Sequence, residues 1–372
     1  MTDEKKYTYF ITGGGTGGHI YPAIAVYDEL LSDNETKDIY YVGNPDNLEY
    51  DIVRKKNIKF LAVNIHGMPR HADIAFIKWG MQLGLAWLKC CCYILKYKPD
   101  VVFGTGGYVS APALLACKTL NKPYMLHDCD AQPGLVTGSL ARWAKIVSLA
   151  FDCAKNYISN KNCIINGNPI RKEFQTLSKQ DARNILGLDN NKLTVCIMGG
   201  SQGALSINNA AVELLKELSD KNLQVIFQTG KKNFNRTIEH LQKIYPEYES
   251  DENIIIKPYF DDMATILIAS DIAISRAGSL SLSEISAAGL APILIPYPFA
   301  AADHQRKNAR FMVEKGAALY LEDAETNKNT LYKLLCTLIE SKENLCKIQK
   351  KTLSLAKYDA ADAIVKQLKT II

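Results

Sequence analysis

The residues best suited to chemistry sit in two glycine-rich runs, each between an apolar stretch and a helical pattern. The first is Gly13-Gly14-Gly15-Thr16-Gly17-Gly18-His19, after Tyr7–Thr12 and before Ile20–Leu31. The second is Gly199-Gly200-Ser201-Gln202-Gly203, after Leu193–Met198 and before Ala204–Leu218. Glycine lets backbone N–H groups approach an anion closely, and a helix N-terminus adds partial positive charge. One such loop suggests a phosphate site. Two, about half a chain apart, predict two similar domains facing one phosphorylated ligand. His19 stands in the first turn behind its loop, where the helix N-terminus disfavours a protonated imidazole and leaves a candidate base.

Further polar clusters follow other apolar stretches. Gly104-Thr105-Gly106-Gly107-Tyr108 is another run of backbone donors after Asp100–Phe103. His127-Asp128-Cys129-Asp130 follows Pro123–Leu126 and could transfer protons or bind hydroxyls, or its acids could simply form turns. Arg276-Ala277-Gly278-Ser279-Leu280-Ser281-Leu282-Ser283-Glu284 follows Asp271–Ser275. There Ser279 is expected to cap a helix whose N–H groups bind phosphate, and Glu284 could accept two hydrogen bonds from a ribose cis-diol. Asp303–Asn308 could read sugar hydroxyls. No metal is expected to hold a diphosphate; helix N-termini with Arg171 or Arg276 would neutralise it. Gly13, Gly15 and Gly18 fit a dinucleotide fingerprint, but the strand Ile39–Val42 ends in Gly43-Asn44, without the ribose-binding acid that NAD requires.

These clusters need scaffolds, and the pattern supplies them. Short apolar strands are expected near 7–12, 38–42, 58–63, 100–103, 123–126, 146–150 and 162–165, then near 193–198, 223–229, 253–256, 271–275, 291–295 and 317–320. Amphipathic helices separate most of them. That alternation predicts an α/β fold with two Rossmann-like domains, parallel sheets covered on both faces, and ligands at the strand C-terminal ends. The polar stretch Asn166-Gly167-Asn168-Pro169 is the expected linker. The domains are expected at 1–166 and 167–357, with a cleft between them as the binding place. The last helix, within about 358–372, could by pattern pack on either domain.

The chain has 372 residues, 47% hydrophobic and 22% charged, enough for two cores. A net charge of +5 is too small to argue for nucleic acid. No apolar segment precedes the first strand, so no signal peptide is expected. Ten cysteines, three of them consecutive at Cys90-Cys91-Cys92 and none in a Cys-x-x-Cys pair, read as reduced apolar thiols rather than zinc ligands. The stretch Ile74–Pro99 is apolar with four lysines and no acid, yet too interrupted to span a bilayer. It is either a buried helix or an interfacial surface touching anionic lipid.

Taken in order, Gly13–His19, Gly104–Ser110, Gly167–Arg171, Gly199–Ala204 and Arg276–Glu284 closely resemble the MurG family, peptidoglycan N-acetylglucosaminyltransferases of the GT-B type. The resemblance covers nearly the whole chain. It implies transfer of N-acetylglucosamine from UDP-N-acetylglucosamine to the muramyl O4 of an undecaprenyl-diphosphate-linked muramyl-pentapeptide, with inversion and without cofactor or required metal. It also implies that the last helix returns to the first domain. The enzyme would sit on the cytoplasmic face of the bacterial cell membrane, as a peripheral protein on an anionic surface, with other cell-wall synthesis proteins as partners. That favours the interfacial reading of Ile74–Pro99.

Carried onto this chain, Thr16, Gly17 and Gly18 approach the donor, and Arg171 and Ser201 meet the diphosphate. Phe260 packs on uracil. Ser279, Leu280, Ser281, Leu282, Ser283 and Glu284 hold diphosphate and ribose, and Gln305 binds the donor sugar. His19 is the expected base, with Asp128 next. The family usually shows His-Glu-Gln-Asn at His127–Asp130, so Asp130 replaces an amide at a substrate position, and Phe260 replaces a commoner aliphatic residue. The rival readings are another UDP-sugar enzyme of this fold, such as a diacylglycerol glycosyltransferase or a UDP-N-acetylglucosamine epimerase, then an NAD-dependent oxidoreductase, then a non-catalytic sugar-binding protein.

Overall fold

The structure is a computed structural model that describes residues 5–69, 71, 74–200 and 202–372. Apolar runs too short for helices form strands buried on both faces. The first seven are β1 (Tyr7–Thr12), β2 (Thr36–Gly43), β3 (Lys59–Ala62), β4 (Val101–Gly104), β5 (Tyr124–Asp128), β6 (Ile146–Leu149) and β7 (Cys163–Ile165). They form one parallel sheet in the order β3-β2-β1-β4-β5-β6-β7. Then come β8 (Thr194–Met198), β9 (Gln224–Gln228), β10 (Ile254–Lys257), β11 (Ile272–Ser275), β12 (Ala291–Leu294) and β13 (Leu319–Tyr320). These form a second parallel sheet, β10-β9-β8-β11-β12-β13. Each expected strand is present within a few residues of its expected place.

The strand order reverses once in each sheet, between β1 and β4 and between β8 and β11. Such switch points leave a crevice beyond the strand C-terminal ends. They set Gly13–His19 beside Gly104–Tyr108 in one sheet, and Gly199 and Gly200 beside Arg276–Glu284 in the other.

The chain divides into two compact units, Met1–Ile170 with Asp359–Ile372, and Arg171–Tyr358. In the first, one sheet face packs Tyr9, Ile11, Tyr41 and Phe103 against Ile20, Val26 and Leu30 of the helix Gly17–Leu31. Ile364, Val365 and Leu368 of the last helix, Ala360–Thr370, join the same cluster. Gln367 and Asn166 exchange two amide hydrogen bonds at 2.8 and 2.9 Å. The opposite face packs Phe10, Val42, Val102 and Leu126 against Ala86, Cys90 and Ile94. In the second unit, Val195, Ile197, Val225, Phe227, Ile272 and Ile274 form the centre of one core.

Ala86, Cys90 and Ile94 are the residues that the helix Ile74–Tyr97 buries. Its other face exposes Ile74, Ile77, Met81, Leu85, Leu88 and Leu95, which recur every three or four residues as one stripe, or skip a turn in step with it. Lys78, Lys89 and Lys96 are exposed along it. No helix of the described residues is long and apolar enough to cross a membrane.

Candidate functional site

In the first unit, the glycine loop after β1 is packed tightly by protein atoms. A Cβ on Gly13 would lie 1.8 Å from Thr105 Oγ1, and one on Gly14 would lie 2.6 Å from the Glu49 carboxyl group. Glu49 is fully buried. Its carboxylate accepts hydrogen bonds from the Gly15 N–H (3.2 Å), the Asn44 N–H (3.2 Å) and the Asn47 amide (3.3 Å). The protein's own carboxylate thus takes an anion-binding position on this loop. Pattern reading missed it, because the acid lies beyond the strand end in the next helix, Leu48–Lys55.

Thr105 clamps the loop to His19. Its hydroxyl donates to the His19 carbonyl at 2.6 Å, and its own carbonyl lies 2.9 Å from His19 Nδ1. A carbonyl can only accept, so Nδ1 is the donor here, and in the neutral ring the lone pair is on Nε2. The ring packs against Gly106 and Gly107, both at positive φ; a Cβ on Gly107 would come within 2.2 Å of the Gly14 carbonyl oxygen. Thr16 is the N-cap of Gly17–Leu31 and makes no side-chain cap, so the first-turn amides at Gly17 and Gly18 keep their donors available.

The segment after β5 is largely turned inward. His127 is fully buried, with Nδ1 at 3.0 Å from Ser148 Oγ and Nε2 at 3.0 Å from Asn168 Oδ1. Burial pushes its pKa down to about 4, so it is a neutral bridge to the linker. Asp128 accepts from the Asp130 N–H (3.2 Å) and the Gly134 N–H (3.1 Å), shaping its own turn. Burial pushes its carboxyl up to about 6. Ligand atoms of Asp128, Cys129 and Asp130 lie within 4.8 Å of one another, a grouping able to hold a metal. The expectation of no metal passed over this Asp-x-Asp spacing. The Asp128 oxygens are, however, engaged by backbone amides, and the Cys129 thiol donates to Asp130 at 3.7 Å. Cys129 Sγ also lies 3.8 Å from His19 Nδ1, which brings Asp128–Asp130 beside the candidate base.

In the second unit, Glu284 is buried and pairs with Arg171, Nε to Oε1 at 3.3 Å. Burial pushes its carboxyl up, and the guanidinium pulls it back. The helix Ser279–Ala288 starts with Gly278 as N-cap, so Ser279 is the first helical residue and caps nothing. The N–H groups of Ser279, Leu280 and Ser281 precede the first intrahelical bond, from Leu282 to the Gly278 carbonyl. Leu282 itself is core, and the Ser283 hydroxyl donates back to the Ser279 carbonyl at 3.1 Å. Ser201 lies outside the described residues; Gly200 beside it has open space where a Cβ would be.

Two glutamines tie loops together. Gln305 Oε1 accepts from the Ala277 N–H (3.2 Å) and the Tyr297 N–H (2.9 Å), which leaves its NH₂ group to donate. Gln228 accepts from the Phe260 N–H at 2.9 Å and donates to the Gly200 carbonyl at 3.4 Å. Phe260 is buried, with Lys257 5.5 Å from its ring centre. Arg276 is not available for a diphosphate: its guanidinium pairs with Asp323 at 2.5 Å and donates to the Ile295 and Pro296 carbonyls, both at 3.1 Å.

Known proteins with this arrangement are recognisable. Residues 9–148 match the glycosyltransferase family 28 N-terminal domain, and residues 194–364 match its C-terminal domain. A UDP-N-acetylglucosamine–N-acetylmuramyl-(pentapeptide) pyrophosphoryl-undecaprenol N-acetylglucosamine transferase of Desulforamulus reducens is 37% identical, over 97% of this chain and 98% of that protein. The chain belongs to the MurG family of glycosyltransferases. A relative of the same name from Bacillus pumilus is 34% identical over 97% of this chain and 98% of its own length. The crystal structure of Acinetobacter baumannii MurG matches 98% of this chain and 99% of its own, with a TM-score of 0.79 at 25% identity. A Staphylococcus aureus MnaA–UDP structure, at TM-score 0.70 and 12% identity over 98% of each chain, shares the fold alone. Against the MurG pattern, the inward-facing His127 and the turn-forming Asp128 explain why a shorter acid is accommodated here. Asp128 needs only to reach two amides in its own turn.

Proposed function

We propose that this chain transfers N-acetylglucosamine from UDP-N-acetylglucosamine to the undecaprenyl-diphosphate-linked N-acetylmuramyl-pentapeptide. The observation that carries the reading is similarity along nearly the full chain to relatives named for that reaction. The site chemistry agrees with it. A ribose-suited carboxylate, Glu284, lies in the second helical turn behind an uncapped helix N-terminus, and a base with a free lone pair stands on the first-unit loop.

In this reading the second unit takes the donor. Glu284 accepts the ribose hydroxyls. The N–H groups at Ser279–Ser281, the Ser201 loop and Arg171 meet the diphosphate, and Phe260 packs on uracil. Leu282 and Ser283 support that helix turn from behind. The Gln305 NH₂ group donates to the donor sugar while its oxygen holds the loop backbone. Thr16, Gly17 and Gly18 approach the donor from the first unit. Asp130, an acceptor where the family has an amide, takes a substrate hydroxyl.

The reaction is a single displacement. The muramyl O4 attacks the anomeric carbon, its proton passes to His19 Nε2, and the bond to the diphosphate oxygen breaks with the electron pair leaving on UDP. The anomeric centre inverts. The leaving charge is met by the helix N-terminus and Arg171 rather than by a metal. Asp128 shapes the loop and is the second candidate base.

Purified protein given radiolabelled UDP-N-acetylglucosamine and a short-chain lipid acceptor should yield a labelled disaccharide lipid of inverted configuration, with undiminished rate in EDTA. Turnover of the free sugar nucleotide without acceptor would favour the epimerase reading instead. The apolar stripe on Ile74–Tyr97 with its lysines would seat the enzyme on the cytoplasmic face of the cell membrane as a peripheral protein. Flotation with phosphatidylglycerol vesicles should carry the protein up, and Leu85→Glu should reduce that severalfold. Equal flotation of both proteins would end the interfacial assignment.

A further inference from the structure

We propose that Gln228 is a positioning residue for nucleotide recognition, a side-chain strut that sets the span between the base-binding and phosphate-binding loops. The inference rests on the donor reading given above.

The strand order supplies the geometry. β9 lies between β10 and β8, so the end of β9 separates the loop leading to Phe260 from the loop holding Gly199–Gly203. Gln228 is the last residue of β9 and is 3% exposed. Its neighbours Val225 and Phe227 fill the core, where a glutamine would be costly. Gln228 instead spends its amide in both directions. Its oxygen accepts the Phe260 N–H at 2.9 Å, and its nitrogen donates to the Gly200 carbonyl at 3.4 Å. A backbone N–H can only donate and a carbonyl can only accept, so the amide orientation is fixed by its partners.

The far side of the phosphate loop is secured separately. Asn233 donates to the Gln202 carbonyl at 3.1 Å, and Gly203 and Gly230 cross so closely that a Cβ on Gly203 would lie 2.0 Å from the Thr229 carbonyl oxygen. The backbone also joins the two sides at the strand end, where the Thr229 N–H donates to the Lys257 carbonyl at 3.2 Å; among the described residues Gln228 is the side chain whose hydrogen bonds reach both loops. A nucleoside diphosphate must meet both loops at once, at a separation set by one ribose. A strut that holds the separation before binding removes an ordering cost that binding would otherwise meet.

The test compares ligands that touch one loop or both. Gln228→Leu keeps volume and removes both hydrogen bonds. It should raise KM for UDP-N-acetylglucosamine about tenfold with kcat within about twofold. The inhibition constant of UDP should rise in parallel, whereas that of inorganic pyrophosphate, which touches the phosphate loop alone, should stay within about twofold. Gln228→Glu keeps the acceptor for Phe260 and loses the donor to Gly200. It should fall between wild type and Gln228→Leu, and it serves as the readout if the leucine variant does not fold. Unchanged UDP inhibition overturns the strut, as does equal weakening of UDP and pyrophosphate. Tighter UDP binding overturns it too, by showing that the amide occupies the place of the base. Wild-type protein that does not bind UDP at all overturns the donor reading first, and the strut with it.

Discussion

The two glycine loops that look alike in sequence are built for different ends. On the first, Glu49 lies against Gly14 and receives the Gly15 N–H, so an internal carboxylate has taken an anion position. On the second, Gly203 is consumed by a backbone crossing, and Gly200 alone opens onto free space. Glycine runs are thus a weak sign of phosphate in themselves, because close approach by protein atoms demands glycine equally. The difference shows which part of each loop still has donors to give. The first is closed by protein at Gly13–Gly15 and keeps only its helix-side amides at Gly17 and Gly18 beside an imidazole, while the second lies beside an uncapped helix and a buried acid. A Rossmann-like fingerprint without its ribose acid therefore lacks two things here: the acid at the strand end and an empty cradle.

The contrast is open to direct attack. The largest effect is expected at the first loop: His19→Ala should lower kcat by roughly 10²–10⁴-fold while the UDP inhibition constant stays within about twofold. Near-normal turnover would remove His19 as base and turn attention to Asp128. At the second loop the pattern should invert. Glu284→Ala should raise KM for the donor by roughly 10–100-fold, since a charge-assisted pair of hydrogen bonds is lost from a buried group. If acceptor KM moved and donor KM did not, the assignment of nucleotide to this unit would be wrong. Glu49→Gln places an amide N–H group against backbone donors. It should cost about 1–3 kcal/mol in urea unfolding and leave UDP inhibition unchanged. A loss of UDP affinity without a loss of stability would mean that the first loop binds nucleotide after all.

The smallest effect concerns pH. Unfolded His127 would titrate near 6.5, whereas the buried imidazole titrates at about 4. Between those values the unfolded chain binds the extra proton, so this group makes stability rise with pH. Asp128 acts oppositely, because its folded carboxyl holds a proton up to about 6 that the unfolded one loses near 3.8. The two slopes offset each other. Asp128→Asn should expose the His127 slope as a gain of roughly 1–3 kcal/mol from pH 4 to 6.5. A flat profile in that variant would contradict the buried neutral bridge.

Strand positions were legible because residues buried on both faces leave continuous apolar runs, and Gly-Gly-Thr-Gly-Gly-His19 was legible because a glycine run between a strand and a helix marks a close backbone approach. Glu49 and Gln228 were not legible. One is a helix acid of a common kind and the other an unremarkable strand end, and each matters through backbone groups far away in sequence, Gly15 for Glu49 and Gly200 and Phe260 for Gln228. Ser279 failed as a cap for a related reason. The helix begins one residue earlier than composition suggests, with Gly278 at the cap. Arg276 read as a free cation only because Asp323, 47 residues on, is invisible to local pattern.

The sequence by itself determined the α/β alternation, the glycine loops and the family, since these depend on local periodicity and on motifs in order. Tertiary structure alone decided which donors remain free. It put Thr105 against His19 Nδ1, filled one loop with Glu49, paired Arg171 with Glu284, and gave the last helix, whose return the family resemblance implied, its amide partner in Asn166. The physical reason is the same each time. A buried polar group must find its partner, and the fold rather than the chain order chooses which partner lies within reach.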